Sequence, residues 1–116
     1  MESGSKAKQS VSPTEARELI AAGHARAMDV RDLEGWKSGR LPGAMHIPAD
    51  EVSSRLDELP EEGQILVACE RGDRSSKVAE ELRRKDYDAV VLEGGMKAWK
   101  KEHLPVQPSD DPDTPV

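Results

Sequence analysis

At 116 residues and 35% hydrophobic content, the chain has room for one modest core and not for two. A formal net charge of -6 argues against nucleic acid as a partner, which would require a clustered basic face. No stretch approaches the ~20 apolar residues that span a bilayer, and Met1-Glu2-Ser3-Gly4-Ser5-Lys6 lacks a signal peptide's apolar segment, so the expectation is a cytoplasmic protein with no membrane contact.

Residues 1–10 are small and polar and predict a flexible N-terminal tail. Ser12-Pro13-Thr14-Glu15 then reads as a helix start, with a serine cap, proline in the first helical position and glutamate completing a capping box. Ala16, Leu19 and Ile20 share one face of that helix, and Gly23 is placed to end it. Ala25 to Val30 reads as a short strand running into Asp29-Val30-Arg31. Glu34 to Ser38 suggests one helical turn, and Gly39-Arg40-Leu41-Pro42-Gly43 an irregular connection. Ile47-Pro48 leads into a further predicted helix, whose Val52, Leu56 and Leu59 form an i, i+4, i+7 stripe ended by Pro60 and Gly63.

Ile65 to Ala68 is a continuous apolar run, too short for a helix and of the kind found in strands buried on both faces. Cys69 stands at its end. The segment Glu70 to Arg74 is charged and contains Gly72, and Ser75 is expected to cap a helix burying Val78, Ala79 and Leu82. Ala89 to Leu92 repeats the strand pattern, Gly94-Gly95 breaks it, and Met96 with Trp99 predicts a short last helix before Pro105. Gln107 to Val116, with three prolines and three aspartates, predicts a flexible acidic tail, leaving one domain over residues 11–106. Alternating strands and helices imply an α/β fold, a small parallel sheet with helices on both faces. With no Phe, the core is expected to be largely aliphatic, anchored by Trp36 and Trp99.

Cys69 is the single cysteine, so it is inert core, an intermolecular partner or a reactive thiol. A lone cysteine ending an apolar run is ordinarily small core. Four charged residues in the five that follow it cannot be core, and they predict a thiol near solvent. Beyond the carboxyl end of a parallel strand, where a loop enters a helix N-terminus, free amides and the helix dipole favour a sulfur anion.

Cys69-x-x-Gly72-x-Arg74-Ser75 resembles the active loop of single-domain rhodaneses. Asp29-Val30-Arg31, Gly39-Arg40-Leu41-Pro42-Gly43-Ala44 with Ile47-Pro48, and Leu92-Glu93-Gly94-Gly95-Met96-x-Ala98-Trp99 are similar, in order, to further stretches of that family. The resemblance implies a sulfurtransferase without a cofactor. A donor such as thiosulfate or a thiol persulfide would pass its outer sulfur to Cys69, and cyanide, a thiol or an acceptor protein would remove it. Glu70, Arg71, Gly72, Asp73, Arg74 and Ser75 would form the substrate loop, mainly through main-chain N–H groups. Arg40 departs from the family's Gly-His-Ile-Pro-Gly run and is assigned to the pocket rim. Asp29 and Arg31, at a strand end, could line the pocket, but an ion pair tying their loop to a neighbour is the preferred reading, and both are treated as structural near the site.

Two rival functions remain open in the sequence. A non-catalytic rhodanese-like module would serve as a docking platform or passive sulfur relay. A cysteine phosphatase or arsenate reductase resembles Cys-x5-Arg, whereas this chain has Cys69-x4-Arg74, a loop too tight to surround a tetrahedral oxyanion. His24, His46 and His103 show no metal-ligand spacing, and no metal site is expected.

Overall fold

The computed structural model describes residues 9–107, so most of the two predicted tails lies outside the described residues. In chain order the elements are β1 (Ser10–Val11), α1 (Pro13–Ala21), β2 (Ala25–Asp29), α2 (Leu33–Lys37), β3 (Met45–His46), β4 (Gln64–Ala68), α3 (Asp73–Arg84), β5 (Asp88–Leu92) and α4 (Gly95–Lys101). Two 3-10 segments, Ala49–Ser54 and Leu56–Glu58, lie between β3 and β4. Among the described residues one sheet forms, in the order β1-β5-β4-β2-β3, with every pair parallel. Ser10, at the edge of the predicted tail, pairs with Val91, and Gln107 bridges to Arg40.

Side chains alternate across a strand, so each central strand feeds two cores. Met28, Ile65, Val67, Ala89 and Val91 face one side, where Val78, Ala79 and Leu82 of α3 and Val52 and Leu59 of the 3-10 segments cover them. Ala27, Leu66, Ala68, Val90 and Leu92 face the other, under Ala16 of α1 and Met96 and Trp99 of α4. Helices therefore cover both faces, which is why β4 and β5 read as unbroken apolar runs. Trp99 is fully buried, and its indole N–H donates to the Pro105 carbonyl at 2.8 Å, satisfying the one polar group the ring carries inward.

Away from Cys69 the structure corrects three expectations. The stripe Val52, Leu56, Leu59 belongs to two 3-10 segments rather than an α-helix: Glu51, Arg55, Glu58 and Leu59 each donate to the carbonyl three residues back. Arg55 breaks the run at φ -127°, and its guanidinium bonds Glu51 at 2.8 Å and Glu58 at 2.9 Å. Ser75 does not cap α3. The cap position falls on Gly72, and Ser75 sits buried inside the first turn. Trp36 is only half-buried, its ring stacked on His46 at 4.8 Å between centroids while the Arg40 guanidinium lies 4.3 Å over it.

Candidate active site

Cys69 directly follows β4 and keeps that strand's alternation, so its side chain falls with Ile65 and Val67 on the α3 side of the sheet. There the chain turns sharply through Gly72, whose φ of 107° suits a residue without Cβ. The turn aims two backbone donors at the sulfur: Gly72 N–H at 2.9 Å and Ser75 N–H at 3.3 Å. The Ser75 hydroxyl lies 3.2 Å from the same Sγ and also 3.2 Å from the Gly72 carbonyl. A negative sulfur is stabilised by such donors at the start of a twelve-residue helix.

Glu70, Arg71, Asp73 and Arg74 are exposed, but the thiol they surround is only 4% exposed, against the expectation of a solvent-facing group. The two facts share one cause. A loop that turns its amides inward around an atom turns its side chains outward, so loop charge reports on the side chains and not on the sulfur.

The residue nonetheless borders open space. Cys69 helps line a cavity of about 360 Å³ together with Arg31, Asp32, Gly35, Glu70, Arg71, Asp73 and Arg74. Strand register explains the assembly: Asp29 pairs with Ala68, so the chain leaving β2 and the chain leaving β4 run side by side, and Arg31 meets Glu70. Arg31 is buried. Its Nε donates to the fully buried Asp29 carboxylate at 3.0 and 3.1 Å, and Nη2 donates to that carboxylate at 2.7 Å and to the Gly39 carbonyl at 2.8 Å. Nη1 reaches Glu70 at 3.3 Å. Burial works against the Arg31 charge, but hydrogen bonds and attraction from Asp29 and Glu70 outweigh it and hold the group above its ordinary value, so it stays a cation. Gly35 permits this placement, since a Cβ there would stand 2.9 Å from the Cβ of Arg31.

The loop after β5 braces the loop after β4. Met96 N–H donates to the Cys69 carbonyl at 2.8 Å and Lys97 N–H to the Glu70 carbonyl at 3.0 Å. Gly95 makes the approach possible, because a Cβ on it would lie 2.5 Å from the Glu70 carbonyl and 2.6 Å from that of Cys69.

Of the residues singled out in the sequence, Cys69, Glu70, Arg71, Asp73, Arg74 and Arg31 meet at the cavity, with Gly72 and Ser75 behind them on the sulfur. Asp29 lies beneath Arg31. Arg40 is buried over Trp36 and is not among the cavity-lining residues. Sequence reasoning missed Asp32 and Gly35. Asp32 caps α2 by accepting from Gly35 N–H at 2.9 Å, and Asp-x-x-Gly ahead of a short helix was the available local signal, but nothing local links it to Cys69. Among the described residues no group of His, Cys, Asp and Glu is arranged to hold a metal, and no helix is long and apolar enough to cross a membrane.

Residues 12–102 match the rhodanese-like domain. The Bacillus subtilis protein YrkF, provisionally named as a sulfur carrier, is 34% identical over 73 residues, which make up 62% of this chain and 40% of that protein. This chain thus spans well under two thirds of that relative's length. Among solved structures, a rhodanese-related protein from Thermoplasma volcanium superposes with a TM-score of 0.80 at 26% identity, over 85% of this chain and 97% of that one. The human single-domain sulfurtransferase TSTD1 gives a TM-score of 0.76 at 28% identity, over 83% of this chain and 98% of its own. Since the matched segment runs from the cap of α1 to the end of α4 and takes in every residue around the sulfur, the chain belongs to the rhodanese-like domain family.

Proposed function

We propose that the chain is a sulfurtransferase that carries a sulfane sulfur as a persulfide on Cys69. The observation that carries the reading is the pair of backbone N–H groups, from Gly72 and Ser75, converging on Sγ beside an open cavity. A buried structural thiol has no use for such donors, whereas a sulfur that must alternate between thiolate and persulfide does.

With thiosulfate as donor, the Cys69 thiolate attacks the outer sulfur, a new S–S bond forms, and the old S–S bond breaks with its electron pair leaving on sulfite. An acceptor such as cyanide then attacks the terminal sulfur of the persulfide. The S–S bond to Cys69 breaks, thiocyanate departs, and the thiolate returns. Neither step needs an external oxidant or an acid, and the order is ping-pong. The charged side chains of the loop stay at the cavity wall, while Gly72 and Ser75 hold the sulfur through both steps.

Intact-mass measurement after incubation with thiosulfate or an alkyl persulfide tests the reading. The expected result is one added sulfur on the native chain, discharged by cyanide as thiocyanate, and none on Cys69→Ser. A native chain that takes up no sulfur from either donor, or a Cys69→Ser chain that takes up as much, overturns it. A chain that loads one sulfur and releases it only to a protein thiol is a relay rather than a thiosulfate:cyanide enzyme.

A further inference from the structure

We propose that Glu70 is a specificity-determining residue: it turns dianionic sulfur donors away from Cys69 and leaves the cavity to persulfides that also carry an ammonium group, such as that of a free aminothiol. The inference rests on the sulfurtransferase reading above and adds the substrate class.

Arg31 is the buried cation of the cavity lining, and its hydrogen-bonding capacity is nearly all committed. Nε is taken by Asp29, and Nη2 by Asp29 and the Gly39 carbonyl. Nη1 is the remaining nitrogen, and Glu70 holds it at 3.3 Å. An anionic donor seeking the Arg31 guanidinium has to displace a carboxylate that is part of the loop itself, and the loop supplies that competitor at a high effective concentration. The Glu70 side chain is 55% exposed, so the contact is open to exchange by substitution without loss of core.

The rest of the wall gives a dianion no compensation. Arg71, Arg74, Asp32 and Asp73 line the same cavity, so its lining carries three guanidiniums against three carboxylates, with Asp29 a fourth carboxylate bonded to Arg31. Thiosulfate carries two negative charges and meets no net attraction from these side chains. A zwitterionic persulfide suits a lining of mixed charge, because its ammonium can pair with Glu70, Asp32 or Asp73 while its carboxylate pairs with Arg71 or Arg74.

The test compares kcat/KM for thiosulfate and for cysteine persulfide, generated in situ, in the native chain, in Glu70→Gln and in Asp73→Asn. Asp73→Asn removes the same charge from the same loop but touches no Arg31 donor among the described residues. For Glu70→Gln, kcat/KM for thiosulfate should rise about fivefold to tenfold, as expected for one unit charge removed a few ångströms from a dianion at a partly screened site. For cysteine persulfide it should stay level or fall, and Asp73→Asn should raise the thiosulfate value less. Equal rises in both variants, no rise in Glu70→Gln, or a parallel rise for both donors overturns the proposal. Each of these outcomes requires that sulfur load onto Cys69. If intact mass shows no loading in any variant from either donor, it is the sulfurtransferase reading that fails.

Discussion

The chain builds the same strand, loop and helix twice, side by side, and uses the two copies differently. β4 runs through Gly72 into α3, and β5 runs through Gly94 into α4. Both glycines take the left-handed conformation, at φ 107° and 72°, and neither helix start has a side-chain cap. After β4 the first free N–H groups point at a cysteine sulfur. After β5 they point at the carbonyls of the β4 loop itself. Orphan amides at a helix start need partners in either case. The difference lies in what the β4 loop presents to them: one pair meets an exchangeable chemical group, the other a fixed piece of backbone. The second loop is thus the scaffold against which the first is held, although both have the same local design.

That contrast makes Gly95 the most sensitive backbone position. In Gly95→Ala the new Cβ would overlap the Glu70 and Cys69 carbonyls at a φ of 65° that disfavours side chains, and neither obstacle is a flexible group that can move aside. The expected loss is about 3 kcal/mol or more, the sum of an overpacked contact and a left-handed alanine. A denaturant titration reads it directly, and a midpoint close to that of the native chain would mean that the two loops are not braced as described. Gly72→Ala is the gentler companion. Its Cβ would find only ordinary contact, 3.6 Å from the Gly94 nitrogen, so the cost is that of the backbone conformation alone, roughly 1–2 kcal/mol less the offset from the entropy that alanine removes from the unfolded chain. If the order of the two losses reverses, the loop after β4 rather than the loop after β5 is the structural one.

Sequence legibility divides along similar lines. The paired apolar runs Ile65–Ala68 and Ala89–Leu92 and the Ser12 start of α1 were readable because each rests on a local rule; Ser12 Oγ does accept from Glu15 N–H, at 3.2 Å. The Val52, Leu56, Leu59 stripe found two buried residues and a half-buried one but misjudged the winding. Over eight residues an i, i+4, i+7 pattern fits two 3-10 turns with a break as well as it fits an α-helix. Ser53 and Ser54 add little helical preference to decide it, and Ser54 Oγ instead donates to the Glu51 carbonyl at 3.0 Å. Strands of two residues, such as Met45–His46, have no period to read. At the site, Cys69 and its loop were legible from composition and order. The Arg31 to Glu70 contact spans 39 positions and depends on strand register, which no local pattern encodes.

The smallest predicted effect on stability is also the one that separates the two loops most finely. The β4 loop adds a side-chain donor to its amides, the Ser75 hydroxyl, and that proton has two acceptors within 3.2 Å: Sγ of Cys69 and the Gly72 carbonyl. The carbonyl does not depend on it, because Ser76 already donates to the same oxygen from its hydroxyl at 2.7 Å and from its N–H at 3.1 Å. Alanine is moreover the better helix former at this position. Ser75→Ala should therefore shift stability by less than about 1 kcal/mol. If the hydroxyl serves the sulfur, removing it takes one of three donors from a group that carries charge, and kcat for sulfur transfer should fall about tenfold, the lower end for a lost hydrogen bond to an ion. Ser75→Thr, which keeps the hydroxyl, should recover most of that loss. An unchanged kcat in Ser75→Ala would assign the hydroxyl to the Gly72 carbonyl and leave the amides alone to hold the sulfur, making the two loops alike in everything except what their amides face.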